Sequence, residues 1–117
     1  MNIEIADKWV AALRSGEYKQ ATGALYTGNG YCCLGVLCKV LGEEFINKYQ
    51  SGPPCTTIRW MVNGEETILP RNVIDRAEMS SSYGCYDARR ASLTKDNDGG
   101  KTFSEIADII DKYKHEL

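Results

Sequence analysis

Cysteine is the first residue type to weigh for chemistry, because Cys32 and Cys33 are adjacent and Cys38 follows within Tyr-Cys-Cys-Leu-Gly-Val-Leu-Cys. A thiol at a helix N-terminus gains thiolate character from the helix dipole and can act as a nucleophile. Nucleophilic catalysis also needs a base. The single histidine, His115, stands in the last turn of the sequence, where fraying is expected. The five cysteines are separated by 0, 4, 16 and 29 residues, which matches no paired Cys-x-x-Cys zinc pattern. An odd count with two adjacent members also suits a disulfide framework poorly. Reduced thiols packed among apolar neighbours are therefore the expectation.

A second candidate lies between Thr94 and Glu105, where Asp96, Asp98, Gly99 and Glu105 fall at positions 3, 5, 6 and 12 of a calcium loop. Thr94 replaces the first carboxylate, and Lys101 places a cation at the eighth position. Both changes weaken a hard divalent site, so no metal is expected here. A glycine-rich turn into a capped helix accounts for the same residues, with Asp98 near the positive helix end. Binding chemistry has more to work with. Tyr18, Lys19, Gln20 and Tyr26 share a glycine-bearing segment, Arg59 and Trp60 are adjacent, and Arg71 and the pair Arg89-Arg90 follow. Arginine forks match phosphate oxygens, and Tyr and Trp offer flat faces to bases. The candidate ligand site is thus Tyr18, Lys19, Gln20, Arg59, Trp60 and Arg71, with Tyr18 and Gln20 expected in a pocket shared with Arg59 or Arg71. No cofactor is called for.

The elements that must position these residues are read from periodicity. Ile5, Ala6, Trp9, Val10 and Leu13 recur at helical spacing and predict a helix over 3–15, with Gly16 as its stop. Residues 17–31 carry Gly23 and Gly-Asn-Gly and read as an extended segment or loop. From Cys32 to Leu41 nearly every side chain is apolar, which predicts a buried central helix ending at Gly42. The stretch 43–54 has no pattern and reads as a loop. Residues 56–62, Asn63-Gly64 and 65–69 predict a hairpin, because Asn-Gly suits a type I′ turn. A short helix is expected after Pro70, and a loop over 80–84. Thr102 and Glu105 form a capping box for a last helix that buries Phe103, Ile106, Ala107, Ile110 and Tyr113. The fold class is α+β, an antiparallel hairpin with a buried central helix and N- and C-terminal helices.

The chain has 117 residues, 43% hydrophobic and 26% charged, which is the profile of one globular domain over 1–117. Fourteen Lys and Arg against sixteen Asp and Glu leave a net charge of -2. A long polyanion or an anionic membrane normally needs a basic field, so neither is the expected partner. Focused arginines on an acidic chain suit a small anionic ligand instead. No apolar run reaches bilayer length, and the first residues lack the basic-then-apolar order of a signal peptide, so a cytoplasmic location is expected.

Three segments carry a resemblance. They are Trp9-x-x-Ala-Leu-Arg-Ser-Gly-Glu-Tyr18-Lys-Gln20-x-x-Gly23-x-Leu25, Gly30-Tyr-Cys32-Cys33-Leu-Gly-Val-Leu-Cys38, and Asn97-Asp98-x-Gly100-Lys-Thr-Phe103-x-Glu-Ile-Ala-Asp-Ile-Ile. Together they resemble a family of small accessory proteins of bacteriophages and prophages, and the Ile68-Leu69-Pro70 exit fits as well. Asp96 departs from the family pattern, which has an apolar residue before Asn-Asp. The resemblance implies a viral accessory product and carries no established activity. The leading expectation is a non-catalytic anti-defence protein that sequesters a nucleotide-derived bacterial immune signal, of cyclic oligonucleotide or cyclic ADP-ribose type. A homo-oligomer would help to enclose such a ligand. The alternative is a protein-protein inhibitor of a host or defence enzyme. A phosphodiesterase or nuclease acting on such signals is the third reading, and it lacks a recognisable acid-base or metal set.

Overall fold

A computed structural model describes residues 1–50, 57–87 and 91–117. The elements run α1 (Ile3–Arg14), α2 (Cys33–Val40), β1 (Ile46–Gln50), β2 (Thr57–Met61), α3 (Arg71–Ala77), α4 (Leu93–Asp98) and α5 (Phe103–Tyr113). Helices with a two-stranded antiparallel sheet make the class α+β, as the sequence predicts.

Helix α1 starts at Asn2, whose side-chain oxygen accepts from the Ile5 amide and satisfies one of the free first-turn donors. Its apolar stripe, Ala6, Trp9, Val10 and Leu13, is buried against α5, which contributes Phe103, Ile106, Ala107 and Ile110. The predicted capping box is present: the Thr102 hydroxyl accepts from the Glu105 amide, and the Glu105 carboxylate accepts from the Thr102 amide. Helix α2 packs on α1 and α4 and forms the centre of the core, with Cys33, Leu34, Gly35, Val36, Leu37 and Cys38 all buried. The Trp9 indole would lose its hydrogen bond to water on burial. It donates instead to the Cys33 carbonyl at 2.9 Å, which ties α1 to the start of α2. Gly35 is required by contact, because a Cβ there would overlap the Leu25 carbonyl oxygen. That close approach seats the segment before α2 directly on the helix.

The hairpin forms differently from the expectation. Asn63 and Gly64 take positive φ, 48° and 84°, and Val62 and Glu65 exchange both backbone hydrogen bonds at 2.9 and 3.0 Å. Pairing stops there. The Glu66 carbonyl accepts from the Leu25 amide at 2.8 Å, so the second arm turns to the core segment. Strand β2 pairs instead with β1, from Ile46↔Met61 to Gln50↔Thr57. Strand β1 thus corrects the reading of 43–54 as a loop. Helix α4 is a second correction, since its residues were expected to be a turn. Ser92 caps it by accepting from the Lys95 amide. Residues 51–56, with Cys55 and the start of the expected hairpin, lie outside the described residues.

Candidate functional site

The recognised motifs converge first on a structural junction. The buried Asn97 accepts through its side-chain oxygen from the Cys33 amide at 3.2 Å and from the Gln20 side chain at 3.0 Å. Its amide nitrogen donates to the Ala21 carbonyl at 2.8 Å. Gln20 also donates to the Lys101 carbonyl at 2.7 Å and accepts from the Phe103 amide at 3.1 Å. Cys33 and Phe103 open α2 and α5, whose first amides have no partner within their own helices. Two side-chain amides therefore satisfy two helix starts and bring the three motifs together. Asp98 adds a bond from the Gly23 amide at 3.2 Å.

These bonds bear on the chemical readings. Asp96 accepts from the Tyr86 hydroxyl at 2.7 Å, Asp98 holds Gly23, and Glu105 serves the capping box. Asp96 and Asp98 also lie within a helix rather than an open ligand loop. Among the described residues no group of three or more metal-ligating side chains is assembled. Burial dominates the thiols: Cys32 is pushed up to about 11, Cys38 to about 12, and Cys33 upward as well. The helix start does not offset this desolvation, so the three are protonated at neutral pH and poor nucleophiles. All three are free and buried, and Cys85 is a free thiol with partial exposure.

The binding residues fall in several places. Tyr18 stands edge-on to Tyr31, with ring centroids 5.5 Å apart. Tyr31 stacks on Tyr26 at 4.5 Å, and Tyr26 meets Trp60 at 5.0 Å. Phe45 closes the group, edge-on to both tyrosines at 5.7 and 5.6 Å. All five rings are half-buried. The loop 27–30 holds Tyr26 against Trp60. Its Thr27 hydroxyl accepts from the Gly30 amide, and Gly28, at φ 90°, passes the indole where a Cβ would sit 3.4 Å from Trp60 Nε1. Lys39 reaches over the Phe45 ring at 6.0 Å, and the exposed Lys19 exchanges backbone contact with Tyr31, whose amide donates to its carbonyl.

Of the six candidate site residues, Tyr18 and Trp60 belong to this aromatic group, and Lys19 adjoins it through its backbone. Gln20 is spent on the junction rather than directed into a pocket. Arg59 points to the opposite ribbon face from Trp60, since strand side chains alternate, and pairs with Glu66 at 3.6 Å. Arg71 opens α3, exposed and paired with Asp75 at 3.2 Å. Among the described residues no hydrogen bond, ion pair or ring contact joins it to the face. Arg89 and Arg90 lie outside the described residues. Sequence reasoning missed Tyr31, Phe45 and Lys39. Tyr31 and Phe45 flank α2 in sequence and look like ordinary core aromatics, and only their packing on Tyr26 and on each other groups them.

No helix among the described residues is long and apolar enough to cross a membrane. No curated protein and no solved structure matches the chain. One family model does match, over residues 1–114, and it covers all three motifs and the junction they build. The chain belongs to the family described as Domain of unknown function (DUF8296).

Proposed function

We propose that the protein is a non-catalytic binder that captures a small anionic nucleotide-type ligand on its aromatic face. In the fuller reading it is a phage-encoded anti-defence protein, acting in the cytoplasm of the infected or lysogenic cell. There it would sequester a cyclic oligonucleotide or cyclic ADP-ribose type of signal. One observation carries the reading: five half-buried rings form a continuous group, with Lys39 over the Phe45 ring and Lys19 next to Tyr18 in the chain. Each exposed ring face can stack a base, and base–aromatic stacking is worth about 1–3 kcal/mol per base. The lysines supply the counter-charge for phosphate. An open face holds a ligand tightly only when covered, and a second copy of the chain is the cover this reading expects.

Calorimetric titration with a panel of cyclic nucleotides tests it. Binding should weaken as ionic strength rises, because lysine–phosphate attraction is screened. A chelator should leave affinity unchanged, and heating the complex should return the ligand intact. Linear product appearing with time would promote the phosphodiesterase reading. Absence of binding across the panel would sink the proposal.

A second reading, inhibition of a host or defence enzyme through protein contact, is favoured by the ribbon. Ile58 is 50% exposed on the ribbon face that carries Trp60, and Ile46 is 51% exposed on the other face. Apolar anchors of this kind are typical of protein interfaces. Ile58→Asp would abolish capture of such an enzyme while leaving nucleotide titration unchanged.

A further inference from the structure

A second feature stands apart from the aromatic face. The chain over 83–86 runs antiparallel to 91–94, with Tyr86 and Leu93 amides donating to the Ala91 and Gly84 carbonyls at 3.1 and 3.0 Å. Beside this pairing opens a cavity of about 530 Å³ lined by Tyr83, Cys85, Asp87, Ser92, Thr94 and Lys95. That volume lies within the range of roughly 300–1,000 Å³ usual for small-molecule sites.

The polar groups of the lining are mostly committed elsewhere. The Ser92 hydroxyl accepts from the Lys95 amide, and the Thr94 hydroxyl donates to the Tyr83 carbonyl at 3.0 Å. Asp87 accepts from the Ala91 amide at 3.2 Å. Among the described lining residues, the side chains of Tyr83 and Lys95 are left to face a ligand. The Tyr83 ring is 50% exposed, and Lys95 is exposed and forms no ion pair among the described residues. The thiol of Cys85 lies on the same wall, and Cys85 also borders an adjoining cavity of about 320 Å³.

We infer that the cavity between Tyr83, Cys85 and Lys95 is a binding site for a small planar aromatic anion. Its ring would lie against Tyr83, and its anionic group would meet the Lys95 ammonium. The chemistry is one of flat apolar area plus a single negative charge, and sulfonate, carboxylate and phosphate all satisfy it. The site is distinct from the aromatic face and does not depend on the nucleotide reading.

The probe for the test is 8-anilinonaphthalene-1-sulfonate, with N-phenyl-1-naphthylamine as its neutral counterpart and adenosine monophosphate as the phosphate arm. The anionic dye should bind the native protein and slow alkylation of Cys85 by iodoacetamide, followed by peptide mass spectrometry, by about tenfold. Lys95→Met and Tyr83→Ala should each weaken dye affinity by about tenfold, as expected for losing a charged contact or a stacking face. Lys95→Met should also erase the preference for the anionic dye over the neutral one. Both positions are exposed, so thermal unfolding should be unchanged and loss of folding cannot mimic the result. Adenosine monophosphate that protects Cys85 extends the site to phosphates; a dye that protects while the nucleotide does not restricts it to sulfonate and carboxylate anions. Absence of dye binding, an unchanged Cys85 rate under saturating dye, or binding lost in Tyr18→Ala but kept in both cavity variants would overturn the inference. Failure of cyclic nucleotides to bind the aromatic face would sink the capture proposal alone.

Discussion

The Gln20–Asn97 junction and the aromatic face begin two residues apart, at Gln20 and Tyr18, yet they are built on opposite terms. At the junction the polar atoms of two side-chain amides are directed inward, each with a partner, and they close the starts of α2 and α5. At the face, rings pack on one another and remain half-exposed, with Lys39 over the Phe45 ring. A glutamine and a tyrosine in one motif thus have different duties. The buried amide specifies the architecture, because a stranded polar group in the core is costly. The half-buried rings leave area that water covers and a ligand can take.

Mutation should separate the two regions. Asn97→Ala strands the Cys33 amide, the Ala21 carbonyl and part of Gln20, and at about 1–3 kcal/mol per stranded group it should cost about 3–5 kcal/mol. Urea denaturation measures this, and a loss below about 1 kcal/mol would mean that water replaces the side chain easily. Leu37→Ala, in the fully buried centre of α2, should cost about 2–5 kcal/mol through lost burial and cavity. An unchanged midpoint with unchanged m would show that α2 is not the core.

Tyr18→Ala works the other side of the comparison. It removes a half-buried ring packed at the core edge and one edge-on ring pair, the pair adding about 0.5–1.5 kcal/mol beyond burial. Thermal unfolding should therefore shift less than for Asn97→Ala or Leu37→Ala. Affinity for a stacking nucleotide should fall by about tenfold in calorimetry, in line with the energy of one stacked base. Equal affinity in the two proteins would remove Tyr18 from the site.

The smallest effect concerns pH. The Thr102 amide and hydroxyl hold the Glu105 carboxyl below its ordinary value. A depressed carboxyl pKa adds stability that is full above the unfolded-state value and lost as pH falls through the folded one. Glu105→Gln keeps an acceptor for the Thr102 amide but cannot titrate. Its melting temperature should therefore fall less steeply below pH 5 than that of the wild type, and parallel acid limbs would show that the box contributes nothing through charge.

Much of this fold was legible because the signals are short-ranged. Helical spacing located α1, α2 and α5, the Thr102–Glu105 pair located the last cap, and Asn63-Gly64 located the turn. Each depends on residues within about two turns of one another. The partner of β2 was not legible. The choice between residues 65–69 and β1 is decided by the Leu25 amide, which takes the Glu66 carbonyl and draws the second arm to the core. Helix α4 was hidden for a related reason, since six residues with Asp, Asn and Lys have little helical preference alone. It forms where Ser92 caps it and Asn97 is drawn inside. The site divides the same way. Residue type alone made Tyr18, Gln20, Arg59 and Trp60 equal candidates for binding. Strand alternation already sets Arg59 and Trp60 on opposite faces, while packing decided that Gln20 closes helices and that Tyr31 and Phe45 join the rings. The packing outcomes depend on contacts between distant segments, and no local pattern encodes which buried donor an amide will meet.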